Sequence, residues 1–170
     1  AEKTAGIELG EMIGSAIVSH RSHDGYDHSS QYFPSGQPGG WSPDPMNPGQ
    51  EAWGPSWGAM PTFMAPHGMH PVPAPPALDS PEYAAAFAEV KSLGAVDSVT
   101  RTAEQTEIAH FWAYDRVGMG SPPAMYNNIL RTLAVQQGNT DKENAQLFAK
   151  ASVAMADAGM LSWESKFDYD

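Results

Sequence analysis

The sequence predicts an all-α fold: a helical bundle with a long wrapping loop rich in proline, glycine and aromatic residues. Three observations predict it. Apolar residues recur at three- and four-residue intervals near the start of the chain and again from residue 80 onward, the period of a helix with one buried face. Helix-start signals stand at the head of the later stretches. No alternating strand or hairpin pattern occurs anywhere. The 170 residues are enough for one domain with a core. They read as a single incomplete domain over 1–170: an N-terminal helix at 4–20, an ordered wrapping loop at 21–79 and a helical body at 80–170.

The first helix follows from Ile7, Leu9, Met12, Ile13, Ala16 and Ile17, which approximate one stripe. Gly6, Gly10 and Gly14 lie four apart on it. Each costs about 1 kcal/mol relative to alanine in a helix, so close packing against another helix is expected to compensate.

The loop differs in kind. Twelve of the 15 prolines fall between Pro34 and Pro76, and no lysine or arginine occurs between Arg21 and Lys91. Yet Tyr32, Phe33, Trp41, Trp53, Trp57 and Phe63 are too many apolar groups for a solvated linker. An ordered loop that lays its aromatics on the helical body accounts for them.

In the body, Ser80-Pro81 starts a helix with Tyr83, Phe87, Val90 and Leu93 as its stripe and Gly94 as C-cap. Thr102 through Gln105 is a capping box leading into Ile108, Phe111 and Trp112. Ser121-Pro122 starts the next helix, with Met125, Ile129, Leu130 and Leu133 inward and Gly138 as its stop. Thr140 through Glu143 is a second capping box. It opens a final helix along Leu147, Phe148, Ala151, Met155, Ala158 and Trp163.

Charge and composition narrow the function. The net charge of −11 opposes binding to nucleic acid, which needs basic surface, and docking on anionic lipid. No apolar run approaches the length that crosses a bilayer, so no membrane partner is expected. The chain has no cysteine, which removes disulfides and thiol catalysis. It begins at Ala1, which fits an exported protein after signal cleavage, secreted or periplasmic, and equally a trimmed or engineered fragment; export is the expectation. His20, His23, Asp24, Asp27 and His28 cluster in sequence, and His67 and His70 form a second pair. Their spacings fit no zinc or calcium-loop template, and no metal is assigned. No glycine-rich phosphate loop or HExxH signal is present.

The end of the chain carries the sharpest candidates. The final helix presents Trp163 and, one turn later on the same face, Lys166. The ordinary role of such a lysine is to complement the helix dipole, and that of such a tryptophan is core packing. Asp157, among small apolar residues, needs a partner such as an arginine or a helix N-terminus if buried, and a structural role is expected over acid–base work.

Four segments, in order, resemble the bacterial branch of the vanadium-dependent haloperoxidases, which share their fold with the type 2 phosphatidic acid phosphatases. They are Arg21-Ser-His-Asp-Gly25, Pro38-Gly-Gly-Trp-Ser-Pro43, the run from Arg101 to Trp112, and Ala156-Asp-Ala-Gly159 followed by Trp163 and Lys166. The resemblance spans essentially the whole chain and implies that Lys166 is the first cation of an oxyanion site, catalytic and cofactor-binding, with Trp163 lining the pocket. It implies vanadate as cofactor, with hydrogen peroxide and halide as substrates. The lysine would then act as a preorganised cation. On the same fold, a phosphatase with phosphate in place of vanadate is the alternative, and a non-catalytic structural or assembly subunit is a second. The family's arginines and its Pro-Ser-Gly-His segment have no counterpart after Lys166. Phe33-Pro-Ser-Gly36 does not supply one, because Gln37 stands where histidine is needed. The expectation is therefore a first part of a larger catalytic unit, in a homo- or hetero-oligomer or joined to a C-terminal half that carries the remaining site residues. Alone, it is expected to be inactive.

Overall fold

The computed structural model describes residues 2–66, 72–113, 118 and 120–169. Within them the chain is all helical: α1 (Glu2–Arg21), a 3-10 turn at Trp57–Ala59, α2 (Pro81–Gly94), α3 (Ala103–Trp112), α4 (Pro122–Gln137) and α5 (Asp141–Asp168). It divides into two units, one of Ala1–Val72 with Asp157–Asp170 and the other of Pro73–Ala156. No helix is long and apolar enough to cross a membrane among the described residues.

In the first unit α1 runs for 20 residues and ends on Arg21, a cation that complements its C-terminal dipole. No residue of α1 is buried. The packing expected to compensate for its glycines is not found: a Cβ placed on Gly6, Gly10 or Gly14 would meet nothing within 4 Å. The stripe is present but exposed: Ile7, Leu9, Met12, Ile13 and Ile17 are each about half exposed or more. The loop, in contrast, does lie on the end of α5. Met160 is 5% exposed and Asp157 likewise 5%, while the rings of Tyr32, Trp53 and Trp57 pack on Phe167 and Trp163 of that helix.

In the second unit the caps fall as the sequence predicts. Ser80 accepts a hydrogen bond from the Tyr83 amide. Thr102 and Gln105 form the reciprocal capping box. Glu143 accepts from the Thr140 amide and hydroxyl, and Thr140 accepts from the Glu143 amide. Hydrogen bonds from Thr140, the backbone amide first, hold the Glu143 carboxyl below its ordinary pKa. Gly138 closes α4 in the left-handed region, φ 64°, with its amide bonded to the Ala134 and Val135 carbonyls.

Gly94 is not the cap of α2. It is the last helical residue, and the chain leaves through Ala95 in extended backbone. The open carbonyls are taken by Arg101, whose guanidinium donates to Leu93 O at 2.6 Å and Ala95 O at 2.9 Å and, through Nε, to Thr106 Oγ1 at 3.1 Å. A cation at a helix C-terminus does by charge what a left-handed glycine does by conformation. Of the expected inward residues of α4, Met125, Ile129 and Leu130 are half-buried, but Leu133 is exposed and Ala134 is the buried position.

Candidate functional site

Three parts of the first unit meet at the end of α5: the turn after α1, the loop from Trp53 to Ala65, and the helix from Asp157 onward. Asp157 organises one side. Its Oδ1 accepts the Phe63 amide at 2.6 Å, and its Oδ2 accepts the Met64 and Ala65 amides at 2.8 and 2.9 Å. Burial pushes this carboxyl up, but the amide bonds from Phe63, Ala65 and Met64 and the charge of Arg21 outweigh it and hold its pKa below the ordinary range. Each charge-assisted amide bond contributes about 1.5–3 kcal/mol. The partner that a buried aspartate requires is thus a backbone nest, with an arginine as auxiliary.

Arg21 ties the same loop to α1. Its Nε pairs with Asp24 at 2.9 Å, a terminal nitrogen donates to Pro61 O at 2.6 Å, and the guanidinium lies 4.4 Å from the Phe63 ring centroid. Within the Arg21-Ser-His-Asp-Gly25 segment, Arg21 and Asp24 are therefore engaged locally, and Gly25 takes φ 94° to turn the chain. The turn is fastened to the loop again by Ser56 Oγ donating to His28 O and Trp57 Nε1 donating to Tyr26 O.

The second point of attachment is Trp163. Its Nε1 donates to the Trp53 carbonyl at 2.9 Å, and its ring packs against Trp57 and Trp53 at centroid distances of 5.7 and 6.4 Å. Two glycines allow this. A Cβ on Gly58 would stand 2.5 Å from the Glu164 amide nitrogen and Cα, so the loop backbone touches the helix backbone there. Gly54, at φ 67°, turns beneath the indoles, where a Cβ would come within 2.6 Å of Trp57 and 3.0 Å of Trp163. The signal was visible in the paired Trp53-Gly54 and Trp57-Gly58, four residues apart.

Lys166 Nζ lies 4.6 Å from the Trp163 ring centroid, so the two candidate residues do adjoin each other. The lysine is exposed and the tryptophan half-buried. A cation over an indole at such a site contributes about 0.5–1 kcal/mol. Next to them Tyr32 stands edge-on to both Trp41 and Phe167, and Tyr169 donates to Val72 O at 2.8 Å. The Tyr32 hydroxyl is buried without a hydrogen-bond partner among the described residues.

The donor set can be weighed against a multiply charged oxyanion. The lysines and arginines of this unit are Lys3, Arg21 and Lys166. Arg21 is engaged with a carboxylate and a carbonyl, and in the other unit Arg101 is engaged with the end of α2. The arrangement fits one cationic donor beside an aromatic wall. It does not supply the paired guanidinium forks that enclose phosphate-like anions. No three histidine, aspartate or glutamate side chains converge on a point among the described residues. His67 and His70 lie outside the described residues.

No family model matches the chain, and no solved structure matches it. The chain is similar to vanadium chloroperoxidase of Curvularia inaequalis, with 31% identity over 144 residues. That alignment covers 74% of this chain and 24% of the relative. The chain thus spans about a quarter of the length of the curated protein it matches, and its relationship to the haloperoxidases is a distant one.

Proposed function

We propose that this chain is the N-terminal part of a haloperoxidase-like enzyme, of the bacterial branch its motifs resemble, that oxidises halide with hydrogen peroxide at a vanadate site. The observation that supports it most is Lys166 set over Trp163 at the end of α5, in a chain whose relative is a vanadium enzyme. In this reading the Lys166 ammonium neutralises one oxygen of the oxyanion, and Trp163 with the loop indoles excludes water from that side. Vanadate, when bound, supplies the Lewis acidity that activates peroxide. The arginines and the histidine that complete the site belong to a second polypeptide or to a C-terminal half, and the protein is exported.

The test is a halogenation assay with vanadate and peroxide on this polypeptide alone and on the full-length protein. Turnover is expected only in the latter, and Lys166→Ala there should abolish it. Turnover by the 170-residue chain alone would refute the reading. Hydrolysis of a phosphate ester without vanadium would move the assignment to the phosphatases that share the fold.

A second reading, a non-catalytic helical subunit that keeps the scaffold without the chemistry, draws on the exposure of Lys166. It requires that Lys166→Ala leave every activity of the full-length protein unchanged.

A further inference from the structure

We propose that Asp157 is a positioning residue for Trp163 and Lys166: by holding the amides of Phe63, Met64 and Ala65 it pins the Trp53–Ala65 loop along α5, and the loop fixes the indole beside which the lysine lies. The use of that positioning rests on the oxyanion reading of Lys166, and the test below separates the two.

The helix by itself does not set the two side chains. Each has rotamer freedom at its own position, and the groups that fix Trp163 are carried by the loop: the Trp53 carbonyl and the rings of Trp53 and Trp57. The loop has one short 3-10 turn and no other regular element among the described residues, so its position depends on what it touches. Its two attachments to α5 are the Asp157 carboxylate and the strip formed by Trp163 and Glu164. They stand six residues apart, about 9 Å along the helix axis. Two attachments at that spacing set the line of the loop along α5, while Arg21, Ser56 and Trp57 tie its other side to the turn after α1. Both oxygens of Asp157 are engaged with loop amides. A buried carboxylate is a costly residue for a helix that could pack an apolar one there. Three converging amides account for its presence.

Asp157→Ala in the full-length protein empties the nest but leaves its three amides and Arg21 in place, a receptor of the size of formate. In the wild-type protein the Lys166 ε-methylene proton resonances are expected to be displaced by the Trp163 ring current. In the variant they should return toward the value of a free lysine, with the indole Nε1–H signal of Trp163 moving as well. Formate should restore both, and chloride at equal ionic strength should not. Vanadate affinity, followed by vanadium NMR, should fall about tenfold or more and recover with formate, as a displaced ligating group predicts. The proposal is overturned if the Lys166 resonances are unchanged in the variant, or if formate restores the loop amides without restoring the lysine. Should the wild-type protein take up no vanadate, the oxyanion reading falls, and the lysine resonances still decide the positioning. If Asp157→Ala fails to fold, Asp157→Asn, which keeps the volume, carries the same resonance test.

Discussion

Replacing Asp157 by asparagine tests the clasp most directly, because it removes the charge and keeps the shape. The carboxylate accepts one amide on Oδ1 and two on Oδ2. Asparagine has one carbonyl oxygen. Set at the Oδ2 position, it keeps the Met64 and Ala65 bonds as weaker neutral ones and turns its NH2 toward the Phe63 amide, donor against donor. Losing one charge-assisted bond and weakening two, offset by easier desolvation of a neutral group, leaves a net cost of about 2–3 kcal/mol. The assay is amide exchange at Phe63, Met64 and Ala65, which reads local opening without requiring the whole chain to unfold cooperatively. Exchange at pH 7 should speed roughly 30- to 150-fold over wild type. The sign with pH follows from the direction of the shift. The carboxyl's pKa in the folded chain is held below that of the unfolded chain, so its stabilisation is present above about pH 4 and disappears as pH falls through the folded value. The variant and the wild type should therefore converge in strong acid. Equal exchange at pH 7, or a difference that persists unchanged into acid, would refute the assignment of the clasp to a carboxylate.

Gly58→Ala places a methyl 2.5 Å from the Glu164 backbone, where about 3.5–4.0 Å is needed, so the loop must lift from α5 by about 1 Å. The expected cost is about 1–3 kcal/mol, read as a displaced Trp163 indole N–H resonance; an unmoved resonance would show that the loop does not bear on the helix there. Arg101→Ala uncaps α2 and should cost about 1–2 kcal/mol, seen as faster amide exchange confined to its last turn, with α3 retained through the Thr102–Gln105 box.

The helices were legible because their signals are local. A capping box or a Ser-Pro start needs only residues three apart, and Ser80, Thr102, Thr140 and Gly138 all act where the sequence places them. Gly94 misled because the function of a C-cap can be supplied from a distance, here by a guanidinium eight residues from Leu93. The Asp157 nest was legible only as a need. Composition around that residue demands a partner on burial, but nothing local identifies amides about ninety residues upstream in a proline-rich segment. That Trp163 and Lys166 share a face follows from helix geometry. What holds the tryptophan does not, since it depends on two glycines in the loop whose lack of a side chain matters only once α5 is beside them.

The exposed helix faces bear on what kind of neighbour the proposed site would have. Apolar side chains recur on exposed helix faces: Ile7, Ile13 and Ile17 on α1 and, in the other unit, Tyr83, Phe87 and Val90 on α2, each more than a third exposed. Helical stability in water comes mainly from burying such faces and not from propensity, least of all for a helix carrying three interior glycines. A transient regulator would have to cover and release that area repeatedly, against a loss of stability each time. Polypeptide that folds with the chain covers it once. In the proposed reading, a C-terminal half or a permanent second polypeptide is the neighbour that would cover these faces.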